Sequence, residues 1–186
     1  MSSPVTVFLL PGWLDSGPSH WQSRWEAAHL FTRVQQHDWQ RPLRGDWTAR
    51  LEEVVINHIA ALTADNRSLS KQELLPQYSS GLEPDLALKS RSFTDSNSAM
   101  PSYAQRSIVL VAHSLGCHLV AAWAAASRHT AAVRGALLVA APDLTCEDLP
   151  PDLTSWRKPV PGPLPFPATC VVSSNDPFGS PAAGRS

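Results

Sequence analysis

Ser107-Ile-Val-Leu-Val-Ala-His-Ser-Leu-Gly-Cys-His-Leu-Val-Ala-Ala-Trp-Ala-Ala-Ala126 decides the fold. Its first six residues are an apolar, largely β-branched run of the length expected for a strand buried on both faces. From Leu115 onward the composition turns to alanine and leucine, strong helix formers. Only His113 and Ser114 lie between the two, so the chain passes from strand to helix almost without a loop.

The same alternation recurs on either side. Val5-Thr-Val-Phe-Leu-Leu10, closed by Pro11-Gly12, predicts a first buried strand. Ser19 then reads as the N-cap of a helix with Trp21, Trp25 and Ala28 along one face. Arg33 to Gln36 is a weaker strand candidate. The spacing of Trp47, Leu51, Val54, Val55, Ile59 and Leu62 predicts a helix capped by Asp46 and ending at Leu62. After the central unit, Gly135 to Pro142 and Ala168 to Ser174 predict two more strands, separated by a proline-rich loop from Pro150 to Pro167. Strands alternating with helices imply an α/β fold, a parallel sheet with helices on both faces.

The whole chain, residues 1–186, fits a single domain. Residues 63–106 lose the periodic pattern to serine, asparagine, proline and scattered charge, and read as a disordered insertion. Lysine plus arginine number 15 against 16 acidic residues. That balance offers no basic field for nucleic acid or anionic lipid and points to a small-molecule substrate. The apolar runs are too short to span a bilayer, and the N-terminus lacks the basic start of a secretory signal. No membrane association and a cytoplasmic location are therefore expected. Cys117, Cys146 and Cys170 are odd in number and follow no metal-ligand or disulfide spacing, so reduced thiols and no metal are expected. Nothing in the sequence specifies an oligomeric state.

The turn at residues 112–116, A-H-S-L-G, carries the chemistry. A serine between a buried strand and a helix, with small residues two before and two after it, has the spacing of a nucleophile elbow. Ala112 replaces the usual glycine at the first position. Ser114 is then the nucleophile. Such a serine needs donors for the oxyanion it creates. Leu115 N–H, at the helix start, supplies one, and Trp13 N–H, after Gly12 in the loop following the first strand, supplies the other. Asp176 follows the last predicted strand, where a catalytic acid belongs, and Asp143 stands one strand earlier. The tryptophans crowding the first quarter of the chain suit core packing, with some left to line an acyl pocket.

Six segments in order resemble one family: P-G-W at 11–13, S-x-x-x-H-W-Q at 16–22 with Trp25 and Glu26, H-D-W at 37–39, V-A-H-S-L-G-C at 111–117, A-A-P-D at 140–143, and P-L-P-F-P followed by S-S-N-D-P-F between 163 and 178. The chain resembles the small serine hydrolases related to the retinoblastoma-binding serine hydrolase, a single-domain branch of the α/β-hydrolases. The resemblance implies Ser114 as nucleophile, Asp176 as triad acid, small ester or amide substrates, and no cofactor.

In the α/β-hydrolase order a histidine base follows the acid, after a further helix and strand. Only PFGSPAAGRS follows Asp176, and the seven histidines at 20, 29, 37, 58, 113, 118 and 129 all precede it. His113 is expected to pack behind the elbow, and His20 to serve structure or substrate contact. The reading at this point is a truncated hydrolase product, lacking the C-terminal helix, strand and base. The alternative is a non-catalytic binding protein on a hydrolase fold.

Overall fold

The computed structural model describes residues 5–73 and 107–179. Strands β1 (Thr6–Leu10), β2 (Thr32–Arg33), β3 (Ile108–His113), β4 (Val133–Val139) and β5 (Ala168–Val171) form one sheet in the order β2-β1-β3-β4-β5, every pair parallel. Helix α1 (Trp21–His29) connects β1 to β2, α2 (Arg44–Glu73) leads from β2 toward β3, and α3 (Leu115–Ala126) connects β3 to β4. The chain moves toward one edge through α1 and toward the other through α2 and α3. Right-handed crossovers therefore put α1 on one face and the α2–α3 pair on the other.

The core follows from the patterns that predicted it. Leu10, Ile108, Leu110 and Ala112 are fully buried in β1 and β3, and Leu115, Leu119, Val120 and Trp123 of α3 belong to the same core cluster, whereas the equally buried Leu9 faces the other side of the sheet. On α2, Trp47, Leu51 and Val55 are buried, and Val54 and Ile59 pack partly against the core. The proline-rich loop is less irregular than its composition suggests. A 3-10 helix at Pro151–Trp156 buries Leu153 and Trp156, with the Trp156 ring edge-on to Trp47 at 5.9 Å and its Nε1–H donating to Pro42 O.

Several local expectations differ from the structure. Helix α2 begins two residues before Asp46, which lies inside its first turn, and runs through residues 63–73 where the insertion was expected to begin; residues 74–106 lie outside the described residues. Helix α1 is capped by His20, not Ser19: His20 Nδ1 accepts from Gln22 N–H at 3.3 Å. Its buried residue is Gln22, while Trp25 and Ala28 are exposed. Polar atoms satisfied by tertiary hydrogen bonds outweigh the apolar spacing there. Strand β2 is only Thr32–Arg33, starting one residue before and ending three residues before the expected run Arg33 to Gln36, although Val34 N–H still donates to Leu9 O at 2.9 Å.

Candidate active site

Because the sheet is wholly parallel, the loops after β1, β3, β4 and β5 emerge at one edge, the edge where open α/β sheets place their ligands. Ser114 sits there between β3 and α3 with φ 54° and ψ −125°, a conformation that L-residues rarely adopt and that the surrounding contacts must enforce. Its N–H donates to Val139 O at 2.9 Å, tying the turn to β4, and its carbonyl accepts from Cys117 N–H at 2.9 Å. Two glycines allow the crowding. A Cβ on Gly12 would stand 2.7 Å from Ser114 Cβ and 3.0 Å from its Oγ, and one on Gly116 would stand 2.3 Å from Leu10 O. The small residue two after the serine is thus required by the β1 backbone passing over α3.

Ser114, Leu115, Trp13 and Asp176 line one cavity of about 830 Å³. Its apolar walls include Leu14, Leu144, Leu149, Leu153 and Phe178. The charged groups lining it are carboxylates, Asp143, Asp148 and Asp176, and no lysine, arginine or histidine lines it among the described residues. Leu115 opens α3, where its N–H has no partner within the helix. The loop of the second expected donor is fixed from two sides. Trp13 Nε1–H donates to Gln40 O at 2.9 Å and Leu14 N–H is taken up by Trp39 O at 3.1 Å, while Trp13 N–H makes no hydrogen bond among the described residues and Trp13 lines the same cavity as Ser114. The H-D-W segment and its neighbour Gln40 thus hold the P-G-W loop in place. Trp13 borders the cavity, whereas Trp47, Trp123 and Trp156 are core.

Asp176 lies in the loop after β5, its Oδ1 accepting from Phe178 N–H at 2.9 Å, and Phe178 O accepts from Asp143 N–H at 2.7 Å. Asp143 is occupied otherwise. Its carboxylate caps the following turn through Thr145 Oγ1–H and N–H, which hold its carboxyl below the usual range.

No histidine among the described residues lines this cavity. Among the described residues, none hydrogen-bonds Ser114 Oγ or Asp176. His113 stacks edge-on with His20 at 4.6 Å and with Trp21 at 6.1 Å, behind the elbow. Burial pushes the His113 imidazole below its ordinary value, His20 reinforces the shift, and Asp176 opposes it. Burial, with Arg33 nearby, likewise lowers His20. His118 shares a hydrogen bond with Pro142 O, and His129 pairs with Glu52. A second groove of about 510 Å³ between α3 and β5 contains Cys117, whose thiol burial pushes up to about 12. That thiol has no thiolate to offer as a nucleophile.

Sequence reasoning missed the polar residues that hold the site together. Gln22 is fully buried and bonded to Leu10 O at the end of β1 and to Val111 O within β3. Arg33, 8% exposed in its side chain, binds Asp15, Glu26, Ser23 Oγ and Ser16 O. The one signal available was a polar residue between two tryptophans in H-W-Q-S-R-W, which a search for apolar faces passes over.

A family model described as serine hydrolase matches residues 7–69 and 89–186. The chain is similar in fold to the crystal structure of a YdeN-like hydrolase from Pectobacterium atrosepticum, with a TM-score of 0.55 and 22% identity over 99% of this chain and 71% of that one. No curated protein matches the chain.

Proposed function

The chain belongs to the serine hydrolase family, and we propose that it cleaves ester or amide bonds of small substrates through an acyl group carried on Ser114. The observation that carries this reading is the strained Ser114 turn at the mouth of a largely apolar cavity, beside two uncommitted backbone donors. Ser114 Oγ adds to the substrate carbonyl while its proton passes to a base. The carbonyl oxygen, now anionic, accepts from Leu115 and Trp13 N–H. Collapse expels the alcohol or amine with a proton, and water then releases the acid and regenerates the hydroxyl. Asp176 is the proposed acid, which would orient and stabilise the protonated base, a role supported by its place at the same cavity. Free thiols at Cys117, Cys146 and Cys170 suit a reducing compartment, so a cytoplasmic location belongs to the same proposal. No helix among the described residues is long and apolar enough to cross a membrane.

The reading is tested with an alkyl fluorophosphonate. Ser114 is expected to become labelled, labelling to vanish in Ser114→Ala, and added imidazole, a diffusible base, to accelerate it. The lack of a histidine bonded to Ser114 or Asp176 favours a second reading, a binding protein that keeps the hydrolase fold. No labelling with or without imidazole, combined with retained affinity of Ser114→Ala for an uncharged ester, would establish that reading instead.

A further inference from the structure

Gln22 reaches three separate parts of the site with one side chain. Its Nε2 donates to Leu10 O at 3.3 Å and to Val111 O at 3.1 Å, and its Oε1 accepts from Ser16 Oγ–H at 2.9 Å. Leu10 ends β1, two residues before Gly12, and Val111 lies in β3, three residues before Ser114. Leu10 O is also the atom that packs against Gly116. Ser16 closes the Trp13–Ser16 loop, in which Leu14 and Asp15 both hold left-handed backbone at φ 66° and 65°. Ser16 O in turn accepts from Ser23 Oγ–H at 2.9 Å and from Arg33 Nη1–H at 3.1 Å. The strained loop is therefore anchored through buried polar atoms, and Gln22 is where that anchor meets the two strands.

We propose that Gln22 is a positioning residue for hydrolysis, an inference that rests on the serine hydrolase reading above: its amide fixes the separation between the loop presenting Trp13 N–H and the elbow presenting Ser114 and Leu115 N–H. Only a primary amide supplies two donors and an acceptor from one planar group. A carboxylate would face the carbonyls of Leu10 and Val111 with no donor, and an apolar isostere would leave both carbonyls and the Ser16 hydroxyl without this partner. Oxyanion stabilisation depends on donors fixed before the reaction, so displacement of one loop by about 1 Å is enough to cost about 100-fold. The ground-state cavity, walled by Leu144, Leu149 and Phe178, does not include Gln22.

The test is the inactivation of Gln22→Met and Ser16→Ala by an alkyl fluorophosphonate, resolved into maximal rate and half-saturating concentration, with a melting curve for each protein. We expect the maximal rate to fall about 10- to 100-fold in Gln22→Met and about 3- to 10-fold in Ser16→Ala, with half-saturation within about twofold of the parent. Folded Gln22→Met with a lower melting temperature and an unchanged maximal rate would reduce Gln22 to a structural residue and overturn the inference. Should Gln22→Met fail to fold, Ser16→Ala decides, and an unchanged maximal rate there overturns it equally. Absence of labelling in the unaltered protein would instead strike the hydrolase reading itself, and this inference with it.

Discussion

At the scale of single residues, the site is governed by how closely two backbones approach. Gly12 is within van der Waals range of Ser114 in a way that leaves no room for a methyl group. Gly12→Ala must push the β1 loop away from the elbow, because the obstructing atom is the nucleophile's own Cβ. We expect that substitution to cost about 1–3 kcal/mol of stability, as overpacking does. Fluorophosphonate labelling should slow by about two orders of magnitude, as expected when an oxyanion donor is displaced. A melting curve and a labelling time course on the same preparation check both; unchanged labelling would mean that the β1 loop takes no part in the chemistry. The expectations for Ser114, Leu115, Trp13 and Asp176 rest on neighbours in the chain, namely a turn between strand and helix, a helix start, a residue after Pro-Gly and an acid after a strand, and the structure brings all four to one cavity. Gln22, Ser16 and Arg33 were not, because what identifies them is burial among atoms distant in sequence.

At the scale of elements, α2 and α3 are joined by a polar clasp. The Glu52 carboxylate accepts from Trp123 Nε1–H at 2.6 Å, Ser127 Oγ–H at 2.7 Å and the His129 ring at 2.7 Å. Burial pushes the carboxyl up, and the three hydrogen bonds outweigh it, holding Glu52 below its ordinary range. Glu52→Gln keeps the shape but loses the charge that strengthens these bonds. It should destabilise the protein by about 2 kcal/mol, measured by urea unfolding at neutral pH. On the other face, α1 is joined to the elbow by the His20–His113 contact. Both imidazoles, like those of His58 and His118, lie below the ordinary value of 6.5, with burial the largest cause in each. Arg33 disfavours the charged form of His20, whereas Asp15 favours it; Asp176 does the same for His113. The unfolded chain therefore binds more protons than the folded one once pH drops below about 6.5. The stability these histidines contribute is present above that value and is lost as pH falls through 6.5 toward their folded-state values. Melting temperature should thus decline between pH 7.5 and 5.5, and less steeply in His113→Gln. An identical pH slope in the two proteins would show that His113 does not titrate on unfolding in this range.

At the scale of the whole molecule, the cavity is apolar along its walls and negative at its charged positions. Three carboxylates with no opposing cation among the described residues raise the energy of any anionic substrate. A fluorophosphonate bearing a terminal carboxylate should inactivate about tenfold more slowly than its neutral counterpart, and the gap should narrow as salt screens the exposed groups. Equal rates for the two probes would show that the carboxylates are too well solvated to select substrates.

By itself the sequence determined that a parallel sheet carries a serine on a sharp turn between a buried strand and a helix, since strand and helix periods and the turn are written in consecutive residues. It also singled out Asp176, Trp13 and Leu115, each by its position relative to a strand end, and these three line one cavity with Ser114. Only the tertiary structure decided that α1 buries a glutamine instead of a tryptophan face, that His20 caps that helix, and that α2 continues beyond Leu62. It alone showed that His113 and His20 pack against each other and that none of the seven histidines bonds to Ser114. The reason is common to all of these. Apolar periodicity records which side of an element avoids water, whereas a buried amide or imidazole is stable only when particular carbonyls and hydroxyls from distant segments meet it.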